Sequence, residues 1–195
     1  MTDHPAMVLA STSPRRRELL SRLEIRFVQL DAAVDETRLE GEPPETFVKR
    51  LAGEKALAGW RLHGSGLPSL GADTVVVIDG RILGKPSSRQ EAAAMLQDLS
   101  GRRHEVLSAV AVALDEKRLL SSLNRTAVNF AELPTDWIHA YCATEEPMDK
   151  AGAYAIQGEA GRHIVSIDGS FSGVMGLPMD ETRDLLRRAG VIPDS

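Results

Sequence analysis

Short apolar runs alternate with amphipathic stretches along this chain, and the alternation predicts strands and helices in turn. Met7-Val8-Leu9-Ala10 reads as a short buried strand. Ser11-Thr12-Ser13-Pro14 then supplies a hydroxyl-rich turn, with Pro14 suited to the first position of a helix. Leu19, Leu20 and Leu23 form the core stripe of that short helix. A second strand is expected over Ile25 to Leu30, followed by an acidic loop at Asp35-Glu36. Pro43-Pro44-Glu45-Thr46 opens a long helix in which Phe47, Val48, Leu51 and Ala52 share one face.

Gly71 to Ile78 is nearly all apolar, the pattern of a strand covered on both faces. Asp79-Gly80 is a hairpin signal leading into Arg81 to Gly84. Ser88 is placed to cap a helix carrying Ala92, Leu96 and Leu99. Val106 to Leu114 and Leu119 to Phe130 are the longest strand candidates. The charged turn Asp115-Glu116-Lys117 joins them and makes them an expected antiparallel pair. Pro134-Thr135-Asp136 starts a helix with Trp137, Ile138 and Tyr141 inward; a turn-rich segment runs from Glu145 to Gly158. A strand over His163 to Ile167 and a helix over Pro178 to Arg188 close the pattern. The expected class is α/β with a mixed sheet, because parallel crossovers and an antiparallel pair coexist.

Composition narrows what such a fold would serve. A chain of 195 residues is sized for one domain, and a net charge of -5 argues against a protein that coats nucleic acid. The one cysteine, Cys142, excludes an internal disulfide framework and a multi-cysteine metal site; a packed, inert thiol is expected there. No stretch has the design of a signal peptide, and no apolar run nears the ~20 residues that span a bilayer. The expectation is a cytoplasmic protein without membrane or nucleic-acid partners.

Candidate chemistry falls at the ends of the predicted elements. Ser11, Thr12 and Ser13 with Arg15, Arg16 and Arg17 lie between a strand end and a helix N-terminus, a place that suits phosphate. Asp73 stands at the start of an apolar strand, where a carboxylate needs a partner, a metal or catalytic work. Asp35-Glu36 also follows a strand, so these carboxylates are expected at one sheet edge, where with phosphate oxygens they would make a Mg²⁺ site. Lys55 on the long helix and Lys85, shaped between Gly84 and Pro86, are point charges for phosphate. His104 is a candidate general base, but it reads better as an edge-strand histidine with ordinary hydrogen bonds. The segment Glu146 to Gly158 combines small residues with Asp149, Lys150 and Gln157.

Together these segments resemble the Maf family of nucleoside triphosphate pyrophosphatases, from Leu9 to about Leu186. The resemblance is carried by Leu9-Ala10-Ser11 with Ser13-Pro14-Arg15-Arg16, Asp35-Glu36, Glu54-Lys55-Ala56 and Gly71-Ala72-Asp73-Thr74-Val75-Val76. It continues through Lys85-Pro86, Ser100 to Val106, Asp149 to Tyr154 with Ile156-Gln157-Gly158, and Gly176-Leu177-Pro178. It implies one Maf-like domain over residues 1–195, with residues 1–6 a short N-terminal extension. It further implies an elongated, two-lobed Maf/ITPase-like fold with a central cleft, often as a homodimer. The implied reaction is hydrolysis of a nucleoside triphosphate to the monophosphate and pyrophosphate, assisted by a divalent cation such as Mg²⁺ or Mn²⁺. Asp73 matches the catalytic acid/base position; Ser11, Arg16, Glu36, Lys55 and Lys85 match polar positions of the cleft.

Arg15, Thr74 and Gln157 resemble the branch acting on dTTP and UTP at the positions that tune base choice. Expected metal ligands are Asp73 and Glu36. The alternatives are the same reaction on 7-methyl-GTP or a non-canonical purine triphosphate, or a non-catalytic nucleotide-binding inhibitor of septum formation. The role is either cleaning of the nucleotide pool or control of division. Ser108 and Met175 depart from the family pattern, both at expected packing positions.

Overall fold

The structure is a computed structural model and describes residues 4–193. It contains a 7-stranded mixed sheet. Strand β1 (Met7–Ala10) lies between β2 (Phe27–Leu30) and β3 (Ser69–Ile78), both parallel to it. Parallel neighbours need crossovers, and these are the helices α1 (Pro14–Ser21) and α2 (Pro44–His63). β3 turns through Asp79 and Gly80, at φ 50° and 74°, into antiparallel β4 (Arg81–Leu83). Helix α3 (Arg89–Leu99) precedes β5 (Arg103–Ala113) and β6 (Leu119–Phe130). The link 114–118 between those two neighbours is too short for a parallel crossover. Helix α4 (Thr135–Cys142) and two 3₁₀ turns lead to β7 (Ile164–Asp168), antiparallel to β6. Helices α5 (Phe171–Val174) and α6 (Met179–Arg188) follow. The sheet order is β2-β1-β3-β5-β6-β7, with β4 beside β3.

The elements form where local chemistry favours them. Ser13 Oγ accepts the Arg16 N–H as the N-cap of α1, with Pro14 first in the helix, as its spacing predicts. Ser88 caps α3 in the same way through the Glu91 N–H. Phe47, Val48, Leu51 and Ala52 are buried along α2, which ends on left-handed Gly64. Pairing in β2 begins at Phe27 rather than Ile25, because Glu24 at φ 56° is still turning the chain out of α1. Leu23 therefore lies beyond its helix. β5 begins at Arg103, three residues earlier than expected, since His104 is buried and belongs to the strand. α5 was not legible as a helix: it is four residues long and is held by its Ser170 cap.

The chain divides into two compact units. One comprises the described residues up to Asp73, Ser108–Asn124, and those from Gly176 on. There α2 packs on β1, and Met7, Val8, Leu9, Leu51, Leu70 and Leu185 are fully buried or nearly so. The other comprises Thr74–Leu107 and Arg125–Met175. Its core joins Val76, Leu96, Leu99, Phe130, Ile138, Tyr141 and Tyr154, and Cys142 is packed among them. Ser108 and Met175 are buried, at 0% and 5% exposure, which fits packing positions. The expected extension over residues 1–6 falls outside the described residues at 1–3; Ala6 donates its N–H to Arg26 O.

Candidate active site

The site in the first unit starts from two missing side chains. Alternation along β3 puts Ser69, Gly71 and Asp73 on the face that meets α2. A Cβ on Gly71 would stand 2.4 Å from both Ala52 O and Ala56 N, so only glycine lets the helix backbone lie this close. Gly59, further along α2, is pressed as tightly: its Cβ would be 2.6 Å from Ala10 Cβ. Within the stretch of α2 that touches Gly71 stands Lys55. Its Nζ donates to Asp73 Oδ1 at 2.8 Å and pairs with Glu36 Oε1 at 2.6 Å. The Lys55 and Asp73 side chains are nearly buried, whereas Glu36 is 54% exposed.

The hydroxyl and guanidinium groups come from the turn after β1. Ser11 Oγ accepts from Ser13 N at 3.2 Å and from Arg16 Nη1 at 3.4 Å, while Gln29 Nε2 holds the Ser11 carbonyl at 2.7 Å. Arg16 is aimed by a second contact, Nε to Gly176 O at 2.9 Å. Gly176 sits at φ 107°, a conformation that favours glycine. Sequence spacing gives no hint of this bond, which joins residues 160 positions apart.

Burial pushes the Asp73 carboxyl above its usual range, against the pull of Lys55 and Arg16; Glu36 adds to the rise. Burial likewise pulls the Arg16 guanidinium down, opposed by Asp73, yet a guanidinium stays charged. Ser11, Arg16, Glu36, Lys55 and Asp73 are thus brought together. Lys55, expected as a bare positive charge for phosphate, already faces two carboxylates. Asp35 turns away to accept the Thr37 N–H at 2.9 Å.

The two carboxylates on Lys55 offer hard oxygen donors. They suit a cation of the Mg²⁺ type, which takes one or two carboxylates and completes its shell with phosphate oxygens and water. Among the described residues no group of three or more His, Cys, Asp or Glu forms a protein-only cage.

The remaining predicted residues lie elsewhere. Arg15 is half-buried on α1, and Thr74 follows Asp73 on the opposite face of β3. Lys85 and Gln157 belong to the second unit, and both are exposed. Their segments are tied there, because Gly152 N donates to Gly84 O at 3.0 Å. Gly152 and Ala153, at φ 68° and 59°, turn the chain, and Tyr154 OH meets His104 Nε2 at 2.8 Å. His104 is not on an edge: β5 lies between β3 and β6, and the ring is 2% exposed. Its burial lowers its pKa to about 4, so the imidazole is neutral. Glu146 lies against Gly158, where a Cβ would collide with its carboxylate, and Tyr141 OH donates to Glu146 Oε1 at 2.7 Å. These braces of the Gln157 segment were missed in the sequence, where only its small residues stood out.

Comparison with known proteins adds to this geometry. The family model described as Maf-like protein matches residues 6–189. The chain is similar to the dTTP/UTP pyrophosphatase of Photorhabdus laumondii, at 48% identity over 188 residues and 96% of each chain. It is also similar to the enzyme of that name from Pectobacterium atrosepticum, at 51% identity over 179 residues, 92% of this chain and 90% of the relative. A solved nucleoside-triphosphatase / dITP/XTP pyrophosphatase from Mycobacterium abscessus aligns over 96% of this chain and 97% of its own. The identity is 18% and the TM-score 0.47.

Proposed function

The chain belongs to the Maf-like protein family, and from that premise we propose that it hydrolyses dTTP and UTP to the nucleoside monophosphate and pyrophosphate. The observation that carries the reading is the nearly buried Lys55–Asp73 pair, with Glu36 on the same ammonium and Arg16 beside it. Asp73 takes the proton of a water that attacks the α-phosphorus, and pyrophosphate leaves in line. An ordinary aspartate, with pKa ~3.9, is a weak base; burial raises the Asp73 pKa towards the range a general base needs, while Lys55 and Arg16 pull it the other way.

Ser11, Arg16 and Lys55 bind phosphate oxygens and stabilise the charge that moves to the leaving group; such transfer depends mainly on positioning and charge. Asp73 and Glu36 are the residues that would hold a divalent cation such as Mg²⁺ or Mn²⁺, whose contribution there is to neutralise phosphate charge. Lys85 as a further phosphate ligand, and Arg15, Thr74 and Gln157 as determinants of base choice, rest on the match of their motifs. Gln157 has the paired donor and acceptor that a pyrimidine's imide edge requires.

The same likeness supports one Maf-like domain that works as a homodimer in the cytoplasm. Among the described residues no helix is long and apolar enough to cross a membrane. A panel of dTTP, UTP, CTP, GTP, ITP and 7-methyl-GTP, read by pyrophosphate release with Mg²⁺ or Mn²⁺, tests the function. Turnover of dTTP and UTP above the others is the expected result; preference for a purine, or no turnover at all, refutes it.

A further inference from the structure

Glu36 poses a problem that the site alone does not answer. It is 54% exposed on a segment without regular secondary structure, yet it meets Lys55 at 2.6 Å. A half-exposed loop carboxylate holds one place for chemistry only if the backbone that carries it is held as well. The loop that carries it is fastened directly beyond it. Arg50, on α2 five residues before Lys55, donates Nε to Glu42 Oε1 at 2.8 Å and Nη2 to Glu42 Oε2 at 2.9 Å, a two-pronged fork. Nη2 also donates to the carbonyl of Thr37, the residue after Glu36, at 3.1 Å. Glu42 is 6% exposed and accepts the Leu39 N–H at 3.1 Å. Arg38 closes the ring by donating Nε to Glu42 O at 2.9 Å. Arg50 thus binds the chain on both sides of a short span and fixes it to the helix that carries Lys55.

We propose that Arg50 and Glu42 are positioning residues that hold Glu36 in register with Lys55 and Asp73, and so set the affinity of the site for a divalent cation. The proposal rests on the reading that Glu36 serves as a cation ligand. Neither residue touches the reacting atoms; both act through the backbone of residues 37–42. The fork geometry requires a guanidinium, because an ammonium is a point charge without the planar pair of donors. Groups hydrogen-bonded directly to a metal ligand change metal affinity by about 10- to 100-fold when removed; Arg50 and Glu42 act one step further out, so the low end of that range is expected.

The test uses the full chain and Mn²⁺ alone as the probe, by direct titration, together with amide exchange of residues 36–42. Glu36→Gln measures the ligand itself. The double variant Glu42→Gln with Arg50→Gln removes the fork without stranding one buried charge. It is expected to weaken Mn²⁺ binding about tenfold and to speed loop exchange. In the Glu36→Gln background the same pair should add less than about twofold, because it acts through Glu36. Multiplying effects in the triple variant, or wild-type Mn²⁺ binding in the double, overturns the proposal. Should the double variant fail to fold, Arg50→Lys takes its place, with at least about threefold weaker binding expected and a wild-type value overturning it. If Glu36→Gln itself leaves Mn²⁺ binding unchanged, the ligand reading falls too, which separates the two failures.

Discussion

Lys55 and Asp73 stand 18 residues apart in sequence and 2.8 Å apart in space, joined by an ammonium–carboxylate bond that water scarcely reaches. The approach is made possible by Gly71, two residues before Asp73 on the same face of β3.

Gly71→Ala should break that approach. The added Cβ would meet Ala52 O and Ala56 N at 2.4 Å, and both are helix backbone that cannot swing aside. A cost of about 1–3 kcal/mol is expected, as for overpacking. Turnover should fall more than stability, since a displacement of about 1 Å at a reacting group costs on the order of 100-fold. Chemical denaturation beside pyrophosphate release checks both halves.

Asp73→Asn should abolish turnover and leave the far-ultraviolet circular dichroism unchanged. It should also stabilise the fold at neutral pH. The folded carboxyl titrates above its ordinary 3.8 because burial outweighs Lys55 and Arg16. A raised folded pKa favours the fold below the unfolded value, and that benefit is lost as pH rises through the folded one. At pH 7 the ionised group is therefore a liability that asparagine removes. The gain should read as a higher Tm at pH 7 that disappears at acid pH, where the wild-type carboxyl is neutral in both states. An unchanged or lower Tm at pH 7 would contradict the account.

His104 should make the wild-type protein acid-sensitive in a defined window. Its folded pKa of about 4 lies below its ordinary 6.5. The unfolded chain therefore binds the extra proton first as pH falls, and stability declines from about pH 6.5 to about pH 4, by roughly 3 kcal/mol. Urea midpoints across that range, compared with those of His104→Gln, measure the share due to this ring. Equal slopes in the two proteins would refute it.

Gln157→Ala should narrow the preference for dTTP over GTP by about tenfold or more in kcat/KM, while turnover of dTTP falls less. Competition between the two triphosphates in one reaction reads the ratio directly. An unchanged ratio removes Gln157 from base selection.

Residues that carry their own local signal were readable in advance. Ser13 and Ser88 cap the helices they precede. Asp79-Gly80 makes the expected hairpin, and the apolar faces of α2 and α3 are buried where their periodicity puts them. Asp73 could be singled out because a carboxylate in an apolar strand is costly without a partner. What stayed hidden depends on contacts distant in sequence. Arg50 makes the i,i+4 bond to Glu54 that helix spacing alone provides, yet its shorter fork goes to Glu42 on a loop. Glu42, between Gly41 and Pro43, has the local look of an exposed turn and is buried instead. The carbonyl that aims Arg16 comes from Gly176, which no spacing rule connects to it. His104 looked peripheral because the start of β5 was set too late to include it.

The contact at Gly71 also governs when the site exists at all. Lys55 and Asp73 lose their water only when α2, a helix of 20 residues, docks on the sheet, so the dry charged pair exists only while this helix stays seated. A protein arranged in this way has no loosened but working form. Lifting the helix by one side chain's width floods both ions, and chemistry stops before the core has melted. Activity then serves as a more sensitive gauge of the integrity of this helix than any bulk measure of folding.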